Sequence, residues 1–119
     1  MARSVLVIDD DAAFRGLARR MLTESGFLVA GEAGSAAAGS AEAAKVKPDA
    51  ILLDVMLPDG DGLALARELA ALPWGPRVLL TSSSVDTADR DDVDGSGAVA
   101  FVPKQELPDA PLERLLGGD

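Results

Sequence analysis

Cysteine and histidine are both missing from this 119-residue chain. Their absence removes disulfides, thiolate metal sites and any nucleophile activated by a Ser–His or Cys–His pair. Aromatic residues are scarce, with three Phe, one Trp and no Tyr. Ala, Val and Leu must therefore fill the interior. Basic residues are outnumbered, 11 against 20 acidic, for a net charge of −9. That balance argues against nucleic-acid binding by this domain and against docking on anionic membranes. No apolar run approaches the length needed to span a bilayer. Residues 1–8 are too short for a signal peptide, and Asp9 to Asp11 would interrupt its apolar region. The lack of Cys fits a reducing compartment. The expectation is a soluble cytoplasmic protein.

What is present suffices for a core, since 48% of the residues are hydrophobic. The length fits one domain, residues 1–119. Residues 3–8 read as a buried, β-branched strand. Phe14, Leu17, Ala18, Met21 and Leu22 recur at helical spacing within residues 12–25, and Gly26 is placed to end that helix. A weaker strand follows at 27–31, then an Ala-rich helix at 35–46 with Pro48 at its exit, then a strand at 50–54. Pro58, Gly60 and Gly62 mark a loop. Leu63, Leu65, Ala66, Leu69 and Leu72 give a third helix that ends before Pro73. A strand at 77–81, an Asp-rich segment at 86–94 with weak helical character, a strand at 98–102 and a short helix at 109–116 complete the chain. Strand and helix alternate throughout, which predicts a doubly wound α/β fold with a parallel sheet and helices on both faces. Such sheets bind ligands beyond the carboxyl ends of their strands.

The polar residues of interest fall at those ends. Asp9, Asp10 and Asp11 close the run Val5-Leu6-Val7-Ile8, and Asp54 closes Ala50-Ile51-Leu52-Leu53. One aspartate of the triplet, Asp11, is accounted for as a helix cap. A lone Asp54 would read as a loop residue. Two acidic strand ends in one parallel sheet instead converge, and the gathered negative charge calls for a cation or a proton. Such a site suits Mg²⁺, and Mg²⁺ suits phosphoryl chemistry. Thr81, Ser82, Ser83 and Ser84 follow the fourth strand and would serve as an ordinary polar loop or cap. Beside a carboxylate, a hydroxyl there can also reach a phosphoryl oxygen. Lys104, after Phe101-Val102-Pro103, reads by default as surface charge, but at a strand end near several carboxylates it can neutralise a second phosphoryl oxygen. Trp74 reads as a local packing or surface residue.

The pieces V-L-V-I-D-D, L-L-D-V-M-L-P-D-G-D-G, L-T-S-S and F-V-P-K occur in this order over roughly residues 3–116. Together they resemble the response-regulator receiver domains of two-component signalling. The resemblance implies the flavodoxin-like receiver fold, a five-stranded sheet of order 2-1-3-4-5. It implies Asp54 as phosphoacceptor and Asp10 as a direct Mg²⁺ ligand, with Asp9 assisting, Asp54 contributing and the carbonyl of Met56 completing the protein ligands. It implies Thr81 and Lys104 as groups that follow and pair with the phosphoryl, and Thr81 with Phe101 as the switch. The donor would be a sensor histidine kinase or a histidine phosphotransfer protein, and the signal would leave through a partner, an output domain or a homodimer. Such a domain catalyses its own phosphorylation and dephosphorylation without being a turnover enzyme. The chain departs from many members in that Gln105, not proline, follows the lysine, and in its Asp-rich fourth helix and short fifth helix. Two rivals stand beside this reading. A haloacid-dehalogenase-type hydrolase wants a second acid where this chain has Met56. A non-phosphorylated receiver-like interaction module would be suspected if an acid or the lysine were missing.

Overall fold

In the computed structural model, residues 3–83 and 90–118 are described. The run from Ser4 to Ile8 forms strand β1, and its last four residues are buried because both faces of the sheet are covered. Helix α1 (Ala12–Glu24) starts where the Asp11 carboxylate accepts the main-chain N–H groups of Ala13 and Phe14. Strand β2 (Leu28–Ala33), helix α2 (Ala36–Val46) and strand β3 (Ala50–Asp54) follow. A two-residue hairpin, β4 (Met56–Leu57) with β5 (Gly60–Asp61), leads into α3 (Gly62–Ala70). Strand β6 (Arg77–Ser82), helix α4 (Arg90–Gly95), strand β7 (Ala100–Pro103), a 3₁₀ helix (Lys104–Asp109) and α5 (Leu112–Gly117) complete the chain.

The main sheet is five-stranded and ordered β2-β1-β3-β6-β7, and every pairing is parallel. This is the expected 2-1-3-4-5 order with the hairpin strands inserted in the count. Alternation along each strand divides the interior into two layers. Leu6, Ile8, Ile51, Leu53, Val78 and Leu80 pack beneath α2, α3 and α4. Val5, Val7, Ala50, Leu52 and Leu79 pack beneath α1 and α5, against Phe14, Leu22, Leu112 and Leu116. Small side chains on the helices let these layers close; a Cβ on Gly39 of α2 would lie 2.7 Å from Ile8 Cδ1.

The structure moves several expected boundaries. The strand placed at 27–31 runs to Ala33, because Leu6, Val7 and Ile8 of β1 pair with Gly31, Glu32 and Ala33 across a register shift. Tertiary pairing there overrides the low strand preference of Gly and Glu. The strand placed at 98–102 begins at Ala100, after Gly97 turns the chain at φ +82. The loop at Pro58–Gly62 closes as the hairpin. The expected final helix is preceded by the unforeseen 3₁₀ turn, whose Pro108 favours the tighter geometry over an α-helix. Of the segment expected as a helix at 86–94, only Arg90–Asp94 is described; residues 86–89, and Ser84 before them, lie outside the described residues. Among the described residues, no helix is long and apolar enough to cross a membrane.

One tertiary link bears directly on the hairpin. Asp59, at its turn, accepts the N–H groups of Ala36 at 2.7 Å and Ala37 at 3.1 Å, and so caps α2 from 22 residues away. These two bonds are the main cause holding its carboxyl below the ordinary value of 3.8. A depressed carboxyl stabilises the fold above its unfolded pKa and loses that contribution as pH falls through the folded one. Asp59→Ala should therefore melt below the parent at neutral pH. The gap should close as the pH drops below about 4, and thermal melts across that range check it.

Candidate functional site

The carboxyl ends of β1, β3, β6 and β7 share one edge, and the turns leaving them are tied down one bond at a time. After β1, the Asp9 N–H donates to the Ala33 carbonyl at 2.9 Å, continuing the ladder with β2. Its Oδ1 accepts the N–H of Asp11 at 2.9 Å, and its own carbonyl accepts Arg15 Nη1 at 2.6 Å. Asp9 is thereby fully buried, while Asp10 faces solvent. At the end of β3, Asp54 is 5% exposed. Its Oδ1 accepts the Met56 N–H at 3.0 Å, a tight turn that aims the carboxylate at the β1 end.

Lys104 is delivered by β7. Pro103 ends that strand at φ −57, and Lys104 opens the 3₁₀ turn with its side chain lying back over the sheet edge. Its Nζ lies 2.8 Å from Asp9 Oδ2 and 3.5 Å from Asp54 Oδ2. The same ammonium sits 4.3 Å from the centre of the Phe14 ring, within cation–π range. Asp9, Asp10 and Asp54 can each offer an oxygen within 4.8 Å of the others. With Phe14, Met56, Ser83 and Lys104, Asp10 and Asp54 line a cleft of about 450 Å³.

The electrostatics follow from this crowding. Burial, opposed by the Met56 N–H and reinforced by the charge of Asp9, leaves the Asp54 carboxyl above its usual range. Burial is also the largest single influence on Lys104 and pulls its pKa down, but the combined pull of Asp9 and Asp54 carries it above the ordinary value. The lysine is therefore held as an ammonium. Three carboxylates against one ammonium leave an excess of two negative charges when all are ionised.

The structure thus brings together Asp9, Asp10, Asp54 and Lys104. Met56 neighbours them through its main chain, with a side chain 60% exposed. Thr81 is the register partner of Asp54, but its buried hydroxyl donates at 2.6 Å to the Val102 carbonyl on β7. Phe101 precedes Val102 on β7 and packs, half-buried, with the α3 and α4 layer. Trp74 is the packing residue expected, with its indole N–H donating to the Pro48 carbonyl at 2.9 Å. Sequence reasoning missed three residues. Phe14 was counted only toward the apolar face of α1. Arg15 carried no local signal, because its carboxylate partner, Glu32, is 17 residues away. Asp59 lies in the Pro58–Gly62 loop, and its partners, Ala36 and Ala37, are 23 and 22 residues away.

A fold with this topology and an acid-and-lysine cleft at its carboxyl edge defines a class. The family described as "Response regulator receiver domain" matches residues 5–115, and the chain belongs to that family, the receiver domains of two-component signalling, for which phosphorylation is typical. Among curated relatives, the transcriptional regulatory protein PdtaR of Mycobacterium tuberculosis is 36% identical over 103 residues, covering 86% of this chain and 49% of PdtaR. This chain spans about half the length of that regulator. The chemotaxis protein CheY of Thermotoga maritima is 26% identical over 115 residues, covering 97% of this chain and 96% of CheY. A LuxR-family two-component response regulator from Aurantimonas shares the fold with a TM-score of 0.88 at 23% identity, covering 99% of this chain and 87% of that one.

Proposed function

We propose that residues 1–119 act as a single receiver domain in which Asp54 accepts a phosphoryl group from a phosphohistidine on a sensor kinase or phosphotransfer protein. The convergence of Asp9, Asp10, Asp54 and Lys104 at one sheet edge carries this reading. As an oxygen of Asp54 bonds to phosphorus, the bond to the donor's imidazole nitrogen breaks. Lys104, held as an ammonium, is placed to offset charge on the phosphoryl oxygens, so the protein contributes mainly positioning and electrostatics.

The residues present fit a divalent cation. The donors are hard carboxylate oxygens, and among the described residues buried Asp9 Oδ2 takes no aligned hydrogen bond and meets the Lys104 charge. Asp9, Asp10, Asp54 and the Met56 carbonyl would hold Mg²⁺. Once bound, the ion supplies charge neutralisation for the incoming phosphoryl. The Thr81 hydroxyl would then exchange the Val102 carbonyl for a phosphoryl oxygen, and Phe101 would move toward the space it leaves. The face of α4, β7 and α5 would change with them and signal to an output domain, a separate partner or a second copy. A cytoplasmic setting suits that role.

Incubation with acetyl phosphate tests the reading. Intact-mass measurement should show a single phosphoryl adduct with Mg²⁺ and none with EDTA. A beryllofluoride mimic should perturb the NMR signals of Thr81 and Phe101 only when Mg²⁺ is present. Failure to form the adduct under any Mg²⁺ concentration would reject the assignment. Lys104→Ala should form the adduct about 10²-fold more slowly, the usual cost of removing one charge-stabilising donor, as single-turnover kinetics would show.

A further inference from the structure

Arg15 and Glu32 lie outside the acidic cluster yet are tied to Asp9 through the main chain. Arg15 Nη1 donates to the Asp9 carbonyl at 2.6 Å while its Nε meets Glu32 Oε1 at 3.2 Å. Arg19 holds the other Glu32 oxygen, with Nε at 2.8 Å and Nη2 at 2.7 Å. Glu32 immediately precedes Ala33, whose carbonyl accepts the Asp9 N–H at 2.9 Å. The end of β2 thus fixes Asp9 at both its N–H and its carbonyl, the latter through a guanidinium. A planar guanidinium can serve carboxylate and carbonyl at once, which a lysine ammonium on a flexible stem does less well.

We propose that Glu32 and Arg15 are positioning residues for the acidic cluster: the guanidinium sets the peptide between Asp9 and Asp10, and with it the aim of both carboxylates toward a divalent cation. This rests on the Mg²⁺ reading above. Charge and geometry predict opposite results for Arg15. A nearby cation repels Mg²⁺, so removing it would tighten binding if charge alone mattered. Removing a support that orients metal ligands weakens binding, commonly about tenfold or more.

The test is calorimetric titration of the parent, Arg15→Met, Glu32→Ala and Glu32→Gln with Mg²⁺, with metal-free melting temperatures recorded for each. Arg15→Met and Glu32→Ala should bind Mg²⁺ about tenfold more weakly. Glu32→Gln keeps an acceptor for the guanidinium and should stay near the parent, although it has lost the same charge as Glu32→Ala. Arg15→Met binding as tightly as the parent or tighter, or Glu32→Gln binding as weakly as Glu32→Ala, overturns the proposal and leaves the functional reading intact. If Arg15→Met does not fold, the Glu32 pair decides the matter. A parent that takes up no Mg²⁺ overturns both.

Discussion

Asp54→Asn should lose phosphoryl incorporation, by on the order of 10³-fold or more, while keeping its fold. The amide is nearly isosteric and can still accept the Met56 N–H that closes the turn after β3. It lacks the anionic oxygen that the proposed reaction bonds to phosphorus. Asp9 offers no equivalent, since it is fully buried with Oδ1 on the Asp11 N–H and Oδ2 2.8 Å from Lys104 Nζ. The fold should not suffer. Burial, offset in part by the Met56 N–H and added to by the charge of Asp9, raises the Asp54 carboxyl pKa. The folded state therefore favours its protonated form, and ionised Asp54 opposes folding above its unfolded pKa. The neutral amide removes that penalty at neutral pH. Without Mg²⁺, Asp54→Asn should melt at or above the parent, and with Mg²⁺ it should gain less than the parent does. An equal yield of adduct in parent and variant would sink the acceptor assignment.

Gly62→Ala should produce the largest loss of stability. Gly62 opens α3 directly after the hairpin, and its N–H donates to the Val55 carbonyl at 3.0 Å. A Cβ there would lie 2.5 Å from both Cα and O of Val55 and 2.6 Å from the Asp54 carbonyl oxygen. All three are main-chain atoms at the end of β3, so no rotamer change relieves the overlap. Alanine's helix preference, about 1 kcal/mol over glycine, is smaller than the overpacking cost, about 3 kcal/mol. A fall in melting temperature of about 10 °C follows. Moving β3's end also moves the Asp54 carboxylate, so Mg²⁺ affinity should fall as well. Gly16→Ala is the control. It lies within α1, nothing would approach its Cβ within 4 Å, and it should stabilise by up to about 1 kcal/mol. Opposite signs for one chemical change at two helical glycines separate propensity from close approach.

The strands, the alternation and the gathering of acids at one edge were legible because they rest on local signals. Apolar runs such as Val5–Ile8 and Ile51–Leu53, alternating with helical stretches, point to strands between two helical layers, and Asp9 and Asp54 are the residues at which those runs stop. The 3₁₀ turn at Lys104–Asp109 was not legible, because six residues interrupted by Pro108 carry no helical period. Phe14 illustrates the harder case. Its spacing places it on the buried face of α1, and it is buried there, but its contact with Lys104 depends on how β7 is placed beside it.

The chain's own order of residues determined the parallel α/β architecture and placed aspartate, hydroxyl and lysine at its strand ends, since each follows from neighbours a few positions away. Tertiary structure alone decided that the Lys104 ammonium lies between Asp9 and Asp54, that the Thr81 hydroxyl turns to Val102, that Asp59 caps α2, and that Glu32 grips Arg15. Each of those contacts joins groups at least 17 positions apart. Such contacts exist only once loop closure has brought the strand ends to a common edge.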